Sequence, residues 1–296
     1  MKTTIQKLPT TLALLALLTL NLQLSTAYAQ GSLTPPGAPA PTMKSLDQIE
    51  PRTPISFAPF TISASGSYYL TTNVTVNSGS AIIISANNVT LDLSGFTISS
   101  TKPVANTFDS AILINVSVTN IFIQNGQISS GVTNTANGVV YSGSGFGNGI
   151  HTLFTSYNER VKDVSVSGVL VDGIGLSAGG YSTVVASCTV NEAGNVGISA
   201  DSVSDSTANN CGFQAIAATT AQNCCASSSG TGTGLIATTA NNCYVTANGS
   251  GIGLQAYVAI GCYGQSATGV AISATIANSC YVGGGKTNIS YKYNMP

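Results

Sequence analysis

Charge is what this sequence has least of. Asp, Glu, Lys and Arg together make up 6% of the 296 residues, the formal net charge is −1, there is one histidine and there is no tryptophan. Near-zero net charge removes the electrostatic case for nucleic acid or an anionic membrane surface as partner. Residues 206–285 contain no Asp, Glu, Lys, Arg or His. That stretch has only Tyr and Cys to offer as ionisable groups, and both are ordinarily protonated at neutral pH. Low charge is often paired with disorder, but hydrophobicity here is moderate and β-branched residues are plentiful, which points to an ordered all-β chain with a polar, uncharged surface.

The N-terminus reads as an export signal. Lys2 and Lys7 give a basic start, the apolar run Leu12–Leu20 follows, and Ala27-Tyr28-Ala29 suits a signal peptidase, so a mature chain from Gln30 is expected. Asn21 and Gln23 end the run short of the ~20 apolar residues a membrane span needs. No other segment could cross a bilayer, so the expectation is a secreted or cell-surface protein with no span left after cleavage. Seven of the ten prolines fall between Pro35 and Pro59. Residues 30–59 therefore read as a Pro-rich linker, with a short helical turn near Leu46–Ile49. A β domain over 60–288 and a tail over 289–296 complete the organisation.

Strand patterns begin at SYYLTTNVTV (67–76). They continue in AIIISANNVTLDLSGFTI (81–98), AILINVSVTNIFIQNGQI (111–128), VKDVSVSGVLV (161–171) and STVVASCTV (182–190). The C-terminal half then repeats openly. GIGLSA, NVGISA, FQAIAA, GTGLIA, GIGLQA and GVAISA align, with final alanines 22, 18, 19, 19 and 18 residues apart. A second column, Cys188, Ser206, Cys224, Cys243, Cys262 and Cys280, keeps spacings of 18, 18, 19, 19 and 18. A unit of this length, with short strands and Gly, Asn and Ser bends, suits one coil of a parallel β-solenoid whose coils stack about 4.8 Å apart. A helical repeat is excluded by the lack of a 3.6-residue stripe. Coils of 19 residues break the strict sixes of a left-handed hexapeptide helix.

The segment 81–98, with its apolar runs around Asn87-Asn88, resembles a coil of the right-handed parallel β-helix proteins of the pectin-lyase-like class. IEPRTPIS (49–56), GSYYLTTNVTV (66–76) and the Cys-Tyr repeats are similar, more narrowly, to a group of secreted bacterial β-helix-repeat proteins of undetermined function. The resemblance spans residues 48–285 and implies about ten coils and a right-handed solenoid. It also implies a fold that hosts lyases, hydrolases and adhesins alike, so function has to come from the site.

The cysteines read as architecture. Equivalent Cα atoms of neighbouring coils sit about 4.8 Å apart with parallel Cα–Cβ vectors, leaving Cβ atoms too far apart for a relaxed disulfide. A ladder of buried thiols follows, with Ser206 in one slot and Tyr244, Tyr263 and Tyr281 beside it pointing outward. Without Cys-x-x-Cys pairs or His partners, no metal site is expected. Cys211 and Cys225 lie off the column and are the more reactive or paired thiols expected. The outward tyrosines are the binding residues expected, as a platform for a polysaccharide or cell-surface glycan.

For catalysis the chain offers little. Ionisable groups gather in 151–173: His151, Glu159, Arg160, Lys162, Asp163 and Asp172, with Asp201 and Asp205 further on. Were the protein a lyase or hydrolase of the resembled class acting on an acidic polysaccharide, Asp163 with Asp172 or Asp201 would supply acid–base chemistry or hold Ca²⁺, and Arg160 or Lys162 would clamp a substrate carboxylate. The hydrolase and lyase signatures of that class are missing, so the expectation is no catalytic residue, no cofactor and a non-catalytic glycan-binding, adhesive or structural role. Ice binding would want an unbroken outward Thr rank. The column Thr183, Asp201, Thr219, Thr238, Tyr257 and Thr275 breaks it at Asp201 and Tyr257. Oligomeric state has no signature in the sequence.

Overall fold

A computed structural model describes residues 51–135 and 140–295. The expected signal segment, most of the expected linker and the turn near Leu46–Ile49 lie outside the described residues.

The described chain is an all-β parallel solenoid. Twenty-three strands form one continuous hydrogen-bonded system, every pair in it parallel, and no helix occurs among the described residues. Three columns of inward side chains supply much of the core, and each follows from the period of the sequence. The first face stacks Phe60, Ile82, Ile112, Ile150, Ile174, Ile198, Ile216, Leu235, Leu254 and Ile272. The second stacks Tyr68, Leu91, Ile123, Val161, Val185, Val203, Ala221, Ala240, Ala259 and Ala277. The third runs from Val74 through Ile98, Ile128, Val166, Val190, Ala208 and Ala226 to Val245. Side chains in these columns change from Leu and Ile to Ala on the second face as the coils shorten. A shorter coil encloses less volume, and close packing demands smaller fillers.

The bend between the second and third faces explains the cysteine beat. At each coil one residue takes a left-handed conformation: Asn125, Asp163, Ser187, Asp205, Asn223, Asn242, Gly261 and Ser279, with φ between 49 and 62°. Asn, Asp and Gly tolerate that region best. The next position turns inward, and from Ser187 onward it is the Cys column. Its thiols are 1–2% exposed and all are free. Each donates to the carbonyl two residues back, at 3.2 Å for Cys188 and Cys224, 3.3 Å for Cys243 and Cys262, and 3.4 Å for Cys280. Ser206 makes the same bond at 2.7 Å. The slot thus selects a small inward donor rather than a thiol, which is why Ser substitutes without breaking the column.

One alignment is corrected by the register. Ile174 pairs with Ile198 and Gly175 with Ser199, so GIGLSA is offset by two residues from the column that its final alanine was expected to join. The extra residues lie in the loop 177–183, which leaves the sheet after Leu176 and returns at Val184. A second excursion is the antiparallel hairpin that pairs Gly131–Asn134 with Tyr141–Ser144. Tyr141 contacts the Asn210 carbonyl at 2.8 Å and Ser229 Oγ at 2.6 Å, pinning the hairpin across several later coils. Strand pairing starts at Thr53, inside the Pro-rich stretch, and the last strand ends at Tyr293.

Candidate functional site

The ionisable strip 151–173 does not form one cluster. The strand Tyr157–Val169 carries Arg160 and Lys162 outward on the second face, where Arg160 Nε donates to Asn158 Oδ1 at 3.3 Å. Asp163 occupies a left-handed bend and meets Lys162 Nζ at 3.4 Å, with both side chains about half exposed, 52% and 53%. An exposed pair of that kind contributes at most about 1 kcal/mol. Asp163 is there because the bend needs a short polar residue. Asp172 and His151 lie instead at the first face. Asp172 Oδ1 accepts from Asn195 Nδ2 at 2.8 Å and from the Val196 amide at 3.1 Å. His151 stands on the rung before Gly175. No group of three or more His, Cys, Asp or Glu among the described residues could hold a metal, so the structure brings together no Ca²⁺ ligand set from Asp163, Asp172 and Asp201.

Glu159, assigned no role from the sequence, and Asp201, an acid–base or Ca²⁺ candidate there, both serve the loop 177–183. Glu159 is 1% exposed and forms no ion pair among the described residues. Thr152 Oγ1 donates to one oxygen at 2.8 Å and the Ser177 amide to the other at 3.3 Å. Burial pushes its pKa above the ordinary carboxylate range, and these two bonds only partly offset the shift. Asp201 grips the loop from outside. Its carboxylate accepts from the amides of Gly179 at 2.7 Å, Gly180 at 2.9 Å and Thr183 at 3.2 Å. Burial alone would raise its pKa, but the backbone donors outweigh burial and hold it below the usual value. Both groups are committed to loop geometry.

The three tyrosines expected to form a platform stack on one another. Tyr244 and Tyr263 lie 4.5 Å apart between ring centroids at 3°, and Tyr263 and Tyr281 lie 5.7 Å apart at 19°. Like residues at one outward position of a parallel solenoid meet face to face because the coil spacing, about 4.8 Å, falls within the centroid separation of offset-stacked rings. Both faces of Tyr263 are therefore covered by its neighbours, and its hydroxyl donates to Gln265 Oε1 at 2.9 Å. Cys225 shares this outward column, paired with Thr207 and Tyr244, and is the one cysteine that is not buried. Cys211 contradicts its expected reactivity. It is fully buried, its sulfur fills the space beside Gly197, and burial pushes its thiol up to about 12.

The sequence did not single out a groove of about 610 Å³ that runs along the outside of the first face. Its floor is the outward column Ser199, Ala217, Ile236 and Gln255, and its wall is Thr219, Thr238, Tyr257 and Thr275. Tyr257 is 58% exposed, and no aromatic ring stacks on it among the described residues. The wall is the Thr column read above, and its interruption by Tyr257 was the available signal. Beyond the loop 177–183 a second groove of about 520 Å³ contains Arg160, Asn158, Thr183 and Asp201. No protein-family model, no curated protein and no solved structure matches the chain.

Proposed function

We propose that this protein is a secreted or cell-surface, non-catalytic binder of an uncharged polysaccharide, which lies along the first face. The observation that carries this is the composition of the larger groove. Apart from the Tyr257 phenol, its lining has no ionisable side chain, so it lacks both the acid–base pair of a hydrolase and the cation that a lyase uses against a uronate. What it offers is one open aromatic ring beside Thr, Ser and Gln, the combination suited to the apolar face and hydroxyl rim of a sugar. The basic start, apolar run and Ala27-Tyr28-Ala29 site support export, and the Pro-rich stretch after them suits a spacer. The likeness of 81–98 to pectin-lyase-like coils supports a right-handed solenoid of that class, in keeping with the hand that parallel β crossovers favour.

The test is calorimetric titration of the protein with neutral cello-, manno- and xylo-oligosaccharides and with an acidic galacturonan, with and without Ca²⁺. At least one neutral ligand is expected to bind without turnover, and Tyr257→Ala to weaken it about tenfold, the value of one aromatic contact. Cleavage of galacturonan that disappears in Asp172→Ala or Asp163→Ala would overturn the reading in favour of a lyase or hydrolase.

A further inference from the structure

The groove on the first face runs along the solenoid axis. Ser199, Ala217, Ile236 and Gln255 are stacked in register, one from each of four consecutive coils. Beside them Ala218, Ala237 and Ala256 add only a methyl group each, which keeps the trough open lengthwise. Coils lie about 4.8 Å apart, close to the advance of one sugar in an extended β-1,4-linked chain, so the four rungs match four sugars. The two ends of the groove differ. Ala178 and Gly179 border its N-terminal end, and Gly179 and Thr219 border the second groove as well, so the loop 177–183 and the wall column stand between the two. At the C-terminal end the chain makes no excursion: Ala274 and Ile276 pair with Ile289 and Tyr291, with one intervening residue on each strand.

The loop is braced. The coil from Ile174 to Ile198 takes 24 residues where the next, from Ile198 to Ile216, takes 18, and the loop is where it leaves the sheet. Thr183 Oγ1 donates to the Ser177 carbonyl at 2.6 Å and ties the two ends of the loop together. From below, the Ser177 amide donates to Glu159 Oε2 at 3.3 Å. Asp201 accepts from the Gly179 and Gly180 amides at 2.7 and 2.9 Å. It lies on the strand Val196–Ser204, which also carries Ser199, so the apex is held against the first rung of the groove. On the other flank Tyr181 packs edge-on against Tyr157, with ring centroids 5.3 Å apart. A short loop closed at its base and packed on both flanks is a wall.

We infer that the loop 177–183 is a fixed stop, so that the groove takes the end of an uncharged glycan chain rather than the middle of one. The terminal sugar lies over Ser199 and abuts Ala178 and Gly179. The next three lie over Ala217, Ile236 and Gln255, and the remainder of the chain leaves past Thr275. Tyr257 shares a strand with Gln255 and faces the fourth sugar. The inference rests on the glycan reading of the groove and adds to it a specificity for chain ends, with the loop as the element that determines it.

The test titrates the full chain with neutral β-1,4-linked manno-, cello- and xylo-oligosaccharides of two to eight sugars, then with long soluble fractions of the series that binds. Affinity should rise up to four sugars and stay level beyond. The two ends of a glycan chain differ, so a long fraction should bind one protein per chain whatever its length. Ala178→Trp fills the closed end and should move the plateau from four sugars to three. Replacing 178–182 by Gly-Gly should let chains run through, so that several proteins bind each long chain, with circular dichroism and a melting curve checking the fold. Where that variant does not fold, the wild-type stoichiometry and Ala178→Trp decide. Several wild-type proteins on each long chain, or affinity still rising at eight sugars, overturns the stop and keeps the groove. A plateau that Ala178→Trp leaves at four also overturns the stop. If none of the neutral oligosaccharides binds, the glycan reading of the groove falls and the stop falls with it.

Discussion

Alkylation of the folded protein at pH 8, without reductant, should modify one thiol quickly and six slowly. Cys225 is the fast one, because it alone is not buried. The six others are 0–2% exposed, so a reagent meets them only when coils separate. Two factors set the contrast. The first is ionisation: partial burial and the neighbouring Cys224 raise the Cys225 thiol above its ordinary value, while Cys188, raised by burial to about 11, is about one-thousandth thiolate at pH 8. Cys211, at about 12, is lower again by about ten. The second is access: if opening the stacked coils costs ~5 kcal/mol, only about one molecule in several thousand exposes a ladder sulfur at any moment. Intact-mass spectrometry over time reads the number of labels directly. In denaturant all seven cysteines should label, since none is bridged. Fewer than seven in denaturant would mean disulfides and refute the parallel Cβ geometry. Two or more fast labels in the folded state would refute the sealed ladder.

Replacing the middle tyrosine, Tyr263→Ala, removes both stacked pairs and should lower the free energy of unfolding in urea by about 1–3 kcal/mol. The same variant should leave glycan affinity unchanged, because both faces of that ring are already covered; a tenfold loss in titration would reinstate the tyrosine platform. Glu159 and Asp201 should pull the pH profile of thermal stability in opposite directions. The folded-state pKa of Glu159 lies above its unfolded value, so its contribution is fully present below the unfolded pKa and is lost as pH rises through the folded one. Asp201 is depressed, so its contribution is present above the unfolded pKa and is lost as pH falls through the folded one. Glu159→Gln should accordingly remove part of the loss on the neutral side of the melting curve, and Asp201→Asn part of the loss on the acid side. Profiles that match wild type in both variants would show that neither carboxyl is coupled to folding.

The repeat itself was legible because a parallel solenoid places like residues on like. Column identity therefore survives as sequence period, and the small inward slot at Cys188, Ser206 and Cys224 could be read from spacing alone. So could the outward setting of Tyr244, Tyr263 and Tyr281, which follows from strand parity. Spacing said nothing about partners that belong to no period. Glu159 reads as one charge in a polar strip, and the return of the loop 177–183 over it is what buries it. What the sequence determined by itself was the stack, because stacking is local and repetitive. The tertiary structure decided which side chains meet across coils of different length, since that depends on where each excursion returns the chain.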